Sequence, residues 1–337
     1  MPTWSLDLYN LGGTAVAIGT EFRRVVARRR LNEPGAIEIE LPWDATRSDW
    51  AVGERDIEVV RDGTTWWLGR LWHLRGNARA RTVGAQGQGL LSVLRRRIVT
   101  SDLQYTSIAQ HQIAWNLIAH TQAQADGGLG LTQGTHTGST TNRSRNYCAN
   151  EAPNVGAAIA DLAFLEDGFD FDIDPTDRTF DTWSPQKKTA RAITLTGAEE
   201  LTLEWEEDAF EAASYVTAVG DGDCGPPVVE VTDATAASRF GRLHEATDAD
   251  VDNTSEVTEA ANEELRVRKD GLFRARVAFD DDYGPAFGSY ELGDTLTVNV
   301  AHGMATFNRT FRITEIALEL EWPDLAFWEL ELDGAVD

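Results

Sequence analysis

The sequence predicts a β-rich α+β protein in which two β-rich barrel or sandwich domains flank a small helix-containing insert. Residues 1–100 and 191–337 alternate apolar and polar side chains, as half-buried strands do, whereas residues 101–190 contain two segments with helical periodicity. One turn-and-strand ribbon also occurs twice, as WAVGERDIEVV at 50–60 and as YELGDTLTVNV at 290–300. Because two copies are too few for a solenoid or propeller, a duplicated β unit is the simplest architecture.

The first domain is predicted over residues 1–100. AIEIELPW at 36–43 places Ile37, Ile39 and Leu41 on one strand face and two glutamates on the other. RDIEVVRDGTTWWLGRL at 55–71 predicts a hairpin closed by Asp-Gly. This part of the chain is therefore expected to consist almost entirely of strands.

The insert is predicted over residues 101–190. Ser107 followed by Gln110 has the spacing of a capping box for a helix that continues to about Gln124, and a second helix is expected over 154–167. The polar run at 130–147 predicts a long exposed loop. FDFDIDPTDRTFDTW, at 169–183, predicts two strands around a turn.

The second β-rich domain is predicted over residues 191–337, with one helix near 254–268. Just before that helix, Asp248, Asp250, Asp252 and Glu259 occupy positions 1, 3, 5 and 12 of a calcium-loop template. Position 6 of the template is Asn253 rather than Gly, so a helix N-cap at Asn253 is the favoured interpretation. A cation site at the four carboxylates is the alternative.

Composition excludes several classes of function. The chain has 337 residues, 42% of them apolar, and no apolar run is long enough to cross a bilayer, so no membrane insertion is expected. The two cysteines, Cys148 and Cys224, have no metal-ligand spacing, and no common catalytic or nucleotide-binding motif is present. His111 and His120 fall on opposite faces of their predicted helix, so they are not a ligand pair. We therefore expect neither a cofactor nor an enzyme.

Charge is distributed unevenly along the chain. Residues 1–100 carry 15 Arg against 11 acidic residues, whereas residues 101–337 carry 15 basic residues against 44 acidic ones, for a net charge of −25. Such an excess disfavours autonomous binding to DNA or anionic lipid. Arginine outnumbers lysine 27 to 3, which together with the acidity favours a GC-rich host adapted to high salt, and an ordinary GC-rich bacterial host is the alternative.

Two clusters allow both a structural and a partner-binding interpretation. The basic stretches at 22–30 and 94–98 either face an acidic partner or pair with acidic residues of this chain, and the second is favoured. The tryptophans at positions 50, 66, 67 and 72 either form core or contact a partner, and core is favoured.

The repeated ribbon and its surroundings resemble a known protein family. The chain is similar to the tail-hub, or baseplate-hub, minor tail proteins of long-tailed phages and archaeal tailed viruses. Three features carry the resemblance: NEPGAIEIELPWD followed by WAVGERDIEVVRDGTTWWLGRLWHL, the central insert, and GSYELGDTLTVNV leading into FRITEIALELEW. The resemblance covers nearly the whole chain. It implies that each β-rich domain is similar to a tail-tube protein, and that three chains supply six such domains to a ring.

The resemblance also implies a location and partners. The chain would be made in the host cytoplasm and lie at the distal end of the virion tail. Its partners would be two further copies of itself, a distal tail ring or tail-tube protein, a tip or fibre protein and the tape-measure protein, with DNA only in transit. Any wall-degrading activity would belong to another protein. Seven ribbon residues are the implied candidates for ring or partner contacts: Trp50, Gly53, Trp66, Trp67, Tyr290, Gly293 and Asp294.

Two other functions are alternatives to the hub. A tail-tip protein that binds a receptor or carbohydrate would use exposed Trp side chains and the 130–147 segment. An envelope hydrolase would need catalytic motifs, which the sequence lacks.

Overall fold

The first β-rich part forms seven strands. The computed structural model describes residues 3–11, 13–43, 47–196, 202–220, 227–249, 253–280, 284–302, 305–321 and 325–334. The strands of the first part are β1 (Trp4–Asn10), β2 (Ala15–Ala17), β3 (Arg24–Arg30), β4 (Glu33–Leu41), β5 (Arg55–Arg61), β6 (Thr64–Asn77) and β7 (Thr82–Gly89). In β4, Ile37, Ile39 and Leu41 are buried, which confirms the predicted apolar face.

The insert combines three helices with five strands in two small sheets. Its elements are α1 (Leu91–Leu94), β8 (Leu103–Ala109), α2 (Gln110–Gln122), β9 (Thr132–Gly138), β10 (Asn142–Tyr147), α3 (Val155–Ala163), β11 (Asp170–Ile173) and β12 (Thr179–Ser184). Strand β10 pairs with β8, and β12 lies between β11 and β9. The helices and the sheet β11-β12-β9 enclose a core of their own.

The remainder of the chain contributes both to the main sheet and to a third lobe. After β13 (Ala190–Thr196) and β14 (Thr202–Asp208), the third lobe contains β15 (Tyr215–Val219), β16 (Val228–Thr232), α4 (Ala234–Phe240), β17 (His244–Asp248) and α5 (Thr254–Arg268). Its core is small and is formed by side chains such as Val216, Val257 and Leu265. The chain then returns through β18 (Leu272–Asp280), β19 (Thr295–His302), β20 (Ala305–Glu321) and β21 (Leu325–Gly334).

The two β-rich parts join in one 13-stranded sheet. Its order is β14-β18-β21-β20-β3-β4-β7-β6-β5-β1-β2, with β19 beside β20 and β13 beside β19. The junction is the antiparallel pair β3–β20, which aligns Arg30 with Glu315 and Arg24 with Glu321. Strands of both parts bury side chains in one continuous apolar core. The β-rich class with a helix-containing insert is confirmed, and in the described residues the sheet stays open rather than closing into barrels.

Several local predictions are confirmed and two are wrong. Helix α5 spans the predicted residues, and Asn253 Oδ1 accepts from Glu256 N at 2.9 Å, so the predicted N-cap is present. The capping box at Ser107 is wrong, because Ser107 lies in β8 and α2 begins only at Gln110. The exposed loop at 130–147 is also wrong: β9 and β10 occupy it, since each polar segment pairs with a neighbouring strand. The limits of the three predicted domains stay a prediction.

None of the helices in the described part of the chain combines the length and apolar character that a bilayer crossing requires.

Candidate assembly interface

The two ribbons have the same backbone construction. The fourth residue of each is a glycine in the left-handed region, Gly53 at φ +78° and Gly293 at φ +80°, where a side chain would be strained. Gly53 N donates to Leu71 O at 2.8 Å, and Gly293 N donates to Ile313 O at 2.8 Å. The two glycines therefore fix the start of hairpins β5–β6 and β19–β20 in the same way.

The second strand of each hairpin, β6 or β20, carries an irregularity at the same place. The register of β6 with β7 shifts between Leu71 and His73, and that of β20 with β21 shifts between Ile313 and Glu315. Position 71 thus corresponds to 313, and position 73 to 315. The sequence repeat is therefore a structural repeat, and it includes the bulge that follows each hairpin.

The aromatic residues of the ribbons belong to the core. Trp50 and Tyr290, at equivalent positions, are 3% and 4% exposed. Trp66 packs edge-on against Trp328 with ring centroids 5.3 Å apart, and Trp67 Nε1 donates to the carbonyl of Arg28 at 3.1 Å. Their side chains contribute to the core, as predicted for these tryptophans.

The remaining ribbon candidates differ in exposure. Gly53 is partly exposed, and no atom approaches within 4 Å of a Cβ built there. Gly293 is buried beneath the side chain of Lys187. Asp294 is 1% exposed and accepts from Arg191 Nε at 2.5 Å and from Glu291 N at 2.9 Å. Partner contact at the seven ribbon positions stays a prediction.

Ion pairs reinforce the β3–β20 junction between the two β-rich parts. The Glu315 side chain is 7% exposed and lies between Arg28, at 3.3 Å, and Arg30, to which it is also hydrogen-bonded. Farther along, Arg24 Nε donates to Glu319 at 2.5 Å. A basic β3 therefore pairs with an acidic β20, which confirms for the 22–30 stretch that its arginines pair with acidic residues of this chain.

The insert is attached to this junction by buried polar contacts. Asp170, 4% exposed, accepts from Asn32 Nδ2 at 2.8 Å and from Lys187 N at 2.6 Å, and also binds Arg312 of β20. Because Asn32 lies in the turn between β3 and β4 and Arg312 lies in β20, Asp170 is bonded to both halves of the sheet.

A second attachment is the ion pair of Arg29 and Asp172. Their side chains are 3.0 Å apart, and Glu291 lies 3.6 Å from the same guanidinium. Burial acts to lower the pKa of Arg29, but the two carboxylates outweigh it and the pKa is raised. Arg29 therefore stays charged and links β3 to the insert and to the segment before β19.

The predicted cation site receives no support from the residues that can be placed. Asp250 and Asp252 lie outside the described residues, and Asp248 ends strand β17. The Glu259 carboxylate binds Arg143 of the insert, and burial raises its pKa despite that guanidinium. Within the described ranges no group of three or more His, Cys, Asp or Glu is placed to hold a metal ion. The site stays a prediction.

The histidines form a pair that the sequence did not suggest. His111 stacks on His136 with ring centroids 3.6 Å apart and planes 9° apart. Burial, and then the proximity of His136, lower the pKa of His111. His120 instead accepts from Thr100 N at 3.1 Å. Helical spacing correctly predicted that His111 and His120 are not a pair. The stacking of His111 on His136 of β9 could not be predicted, because it depends on the tertiary fold.

Comparison with known proteins places this arrangement among tail proteins. Residues 5–123 match the family of Siphovirus ReqiPepy6 Gp37-like proteins. No curated protein matches the chain. The tail protein from Neisseria meningitidis MC58 is similar in structure, with a TM-score of 0.66 and 15% identity over 98% of this chain and 96% of that one.

Two further solved structures are similar over nearly the whole chain. The 43 kDa tail protein of prophage MuSo2 from Shewanella oneidensis has a TM-score of 0.66 at 13% identity, covering 97% of each chain. The Escherichia coli c3393 protein has a TM-score of 0.54 at 9% identity, covering 97% of this chain and 76% of that one. It is described as a component of the type VI secretion system with structural similarity to T4 phage tail proteins gp27 and gp5. The chain thus has the fold of phage tail proteins, and the predicted resemblance is confirmed at that level.

Proposed function

We propose that this chain is a structural protein of a viral tail, acting as a homotrimeric hub at the distal end. The hub connects the six-fold tube or distal tail ring to the three-fold tip and surrounds the channel through which DNA leaves. The observation that carries this proposal is the structural repeat, in which two hairpins of one construction belong to two β-rich parts that are joined edge to edge by β3–β20. The similarity to tail proteins, including one related to gp27 and gp5, supports it.

The repeat would allow one chain to join a six-fold tube to a three-fold tip. A tube of six subunits offers six equivalent edges, whereas a tip of three subunits offers only three. A chain with two tube-like units satisfies both when three copies alternate their first and second units around a ring. Closure of that ring also covers strand edges that would otherwise template aggregation.

The partners follow from this placement. The ring contacts a distal tail ring or tail-tube protein on one side and a tip or fibre protein on the other, and the tape-measure protein and DNA pass through the channel. The chain performs no catalysis in this role. A net charge of −25 disfavours adhesion of DNA during transit.

The receptor-binding alternative has less support. Its contacts would be exposed tryptophans and the 130–147 segment. Trp50, Trp66 and Trp67 are buried, Trp43 and Trp205 are 44% and 43% exposed, and the segment forms β9 and β10 rather than a loop. It remains distinguishable by experiment: a receptor binder retains affinity for isolated host surfaces, whereas a hub binds ring proteins.

Electron microscopy of the purified protein tests the proposal. Class averages are expected to show a ring with a central channel, three-fold symmetry and six lobes of similar density. Compact particles without a channel, at concentrations where light scattering also reports monomer, would contradict the hub.

A further inference from the structure

We propose that two unpaired strand edges, the outer edge of β14 and the distal edge of β6, bind each other between neighbouring copies of this chain, with an arrangement of charge that enforces alternation of the two β-rich parts. This rests on the trimeric hub proposed above and specifies its contact between copies. The partner is a second copy of this chain.

The free edge of β6 follows from its pairing. Strand β7 pairs with β6 through residues 69–77, and β5 occupies the other edge only through residues 64–70. Beyond residue 70, that other edge has no partner strand in the described part of the chain. Strand β14 ends the sheet, since it pairs with β18 and with no further strand in the described residues.

The equivalent edges of the repeat are already paired inside the chain. β20 corresponds to β6, because both follow the ribbon glycine and carry the same bulge. β20 binds β19 through residues 305–312 and then, on the same edge, binds β3 through residues 315–321. β3 corresponds in turn to β14, because the strand order β3-β4-β7-β6 in the first part repeats the order β14-β18-β21-β20 in the second. The β3–β20 pair is thus a template for a β14–β6 pair between copies.

The template fixes the register. Arg28 faces Ala317 in β3–β20. Arg70 and Arg312 directly precede the equivalent positions 71 and 313. From Arg70 the aligned residues are Gln88, Ala36 and Arg28, and from Arg312 they are Asp333, Arg274 and Glu206. Glu206 is therefore equivalent to Arg28. Positions 73 and 315 are equivalent at the shared bulge, so Arg75 and Ala317, each two residues later, are equivalent too. The transferred register therefore sets Glu206 of one copy directly opposite Arg75 of the next.

Charge complementarity supports that register. The β14 sequence TLEWEED is acidic and largely exposed, and residues 73–79 of the β6 side read HLRGNAR. In the same register Asp208 lies opposite His73, and Trp205, 43% exposed, lies opposite Gly76, where no atom would meet a Cβ. Opposite charges across an antiparallel pair stabilise it, and a large aromatic side chain covers the gap left by an edge glycine.

The signs of charge also exclude wrong pairings. In the pair inside the chain, β3 is basic and β20 is acidic. In the proposed pair between copies the charges are reversed, since β14 is acidic and the free edge of β6 is basic. In the folded chain β3 and β20 already bind each other, so a wrong pairing requires that this junction open first. If it opened, binding of β3 to another copy's β6 would oppose arginine to arginine, and binding of β14 to another copy's β20 would oppose acid to acid. Like charges directly opposite each other are destabilising, so only alternation of first and second parts is favoured.

A charge-reversal cycle tests the contact. Arg75→Glu and Glu206→Arg are each expected to raise the concentration for half-assembly by about tenfold or more, and the double variant is expected to restore assembly. Arg242→Glu, which reverses a 57% exposed arginine of the third lobe that lies on neither edge, is the matched control and should leave assembly unchanged. Urea unfolding of each variant confirms that the fold is intact.

Disulfide trapping tests the register independently. In a chain whose two native cysteines are replaced by serine, Arg75→Cys with Glu206→Cys should cross-link copies, because directly opposed Cα atoms lie within disulfide range. Arg75→Cys with Glu204→Cys is two residues out of register and should not. A trimer insensitive to every reversal and without the in-register cross-link would overturn the inference while leaving the hub intact. A chain that is monomeric at all concentrations and forms no cross-link would overturn both.

Discussion

Removal of the Glu315 carboxylate should weaken the junction that holds the two β-rich parts side by side. Glu315 is 7% exposed and contacts Arg28 and Arg30, which are 32% and 46% exposed. A hydrogen bond to a charged group contributes about 1.5–3 kcal/mol, and two such contacts set an upper limit. Because water can solvate both arginines again, Glu315→Ala should lower the free energy of unfolding by about 2–3 kcal/mol, less than the 3–5 kcal/mol of a fully buried pair.

Urea unfolding followed by tryptophan fluorescence measures this loss. The matched control is Glu321→Ala, since Glu321 lies on the same strand, is exposed, and faces Arg24 at the end of the pair. The control should change the free energy of unfolding by no more than about 0.5 kcal/mol. Equal, small losses in the two variants would refute the argument that a buried carboxylate between two arginines stabilises the junction.

Three other predictions concern the attachment of the insert and the third lobe. Asp170→Asn should lower the free energy of unfolding by about 3 kcal/mol, because the guanidinium of Arg312, only 15% exposed, loses its counterion. Hydrogen exchange of the insert should accelerate, and unchanged exchange would contradict the role of Asp170 in attaching the insert to the sheet. The lowered pKa of His111 means that the unfolded chain takes up the proton first, so its contribution to stability is complete above about pH 6.5 and is lost as pH falls through the folded value. His111→Phe, which keeps a ring against His136, should therefore reduce the fall in melting temperature between pH 7.5 and 5.5, and an unaltered slope would show that another group governs it. Asn253→Ala should destabilise α5 by about 1 kcal/mol through loss of the N-cap bond, whereas Ser255→Ala, an exposed change in the first turn, should not; equal effects would contradict the cap.

Local signals in the sequence were sufficient for much of the fold. The N-cap at Asn253 and the alternation of β4 depend on neighbouring residues alone, and both are as predicted. Strands β9 and β10 were missed because TQGTHTG and NRSRNY have no apolar alternation. They are strands because their backbones pair with β12 and β8, which sequence periodicity cannot reveal.

The assembly interface was predictable only in part. The repeat of ribbon residues revealed the duplication, and the structure shows that it extends to the glycine conformation and the bulge. The joining of β3 to β20 could not be foreseen, because Arg30 and Glu315 are 285 positions apart and many basic and acidic strands were available as partners. The opposite charges of RVVARRR and TLEWEED are visible in the sequence. They suggest a contact between copies only when the structure shows that β3 and β14 are equivalent strands of the repeat.

Native mass by light scattering tests the hub most directly. A mass near three times the 37.1 kDa chain is expected in low salt and in molar salt, since two tube-like units per chain form a six-membered ring only as a trimer. A stable monomer under both conditions, at concentrations up to the solubility limit, would contradict it.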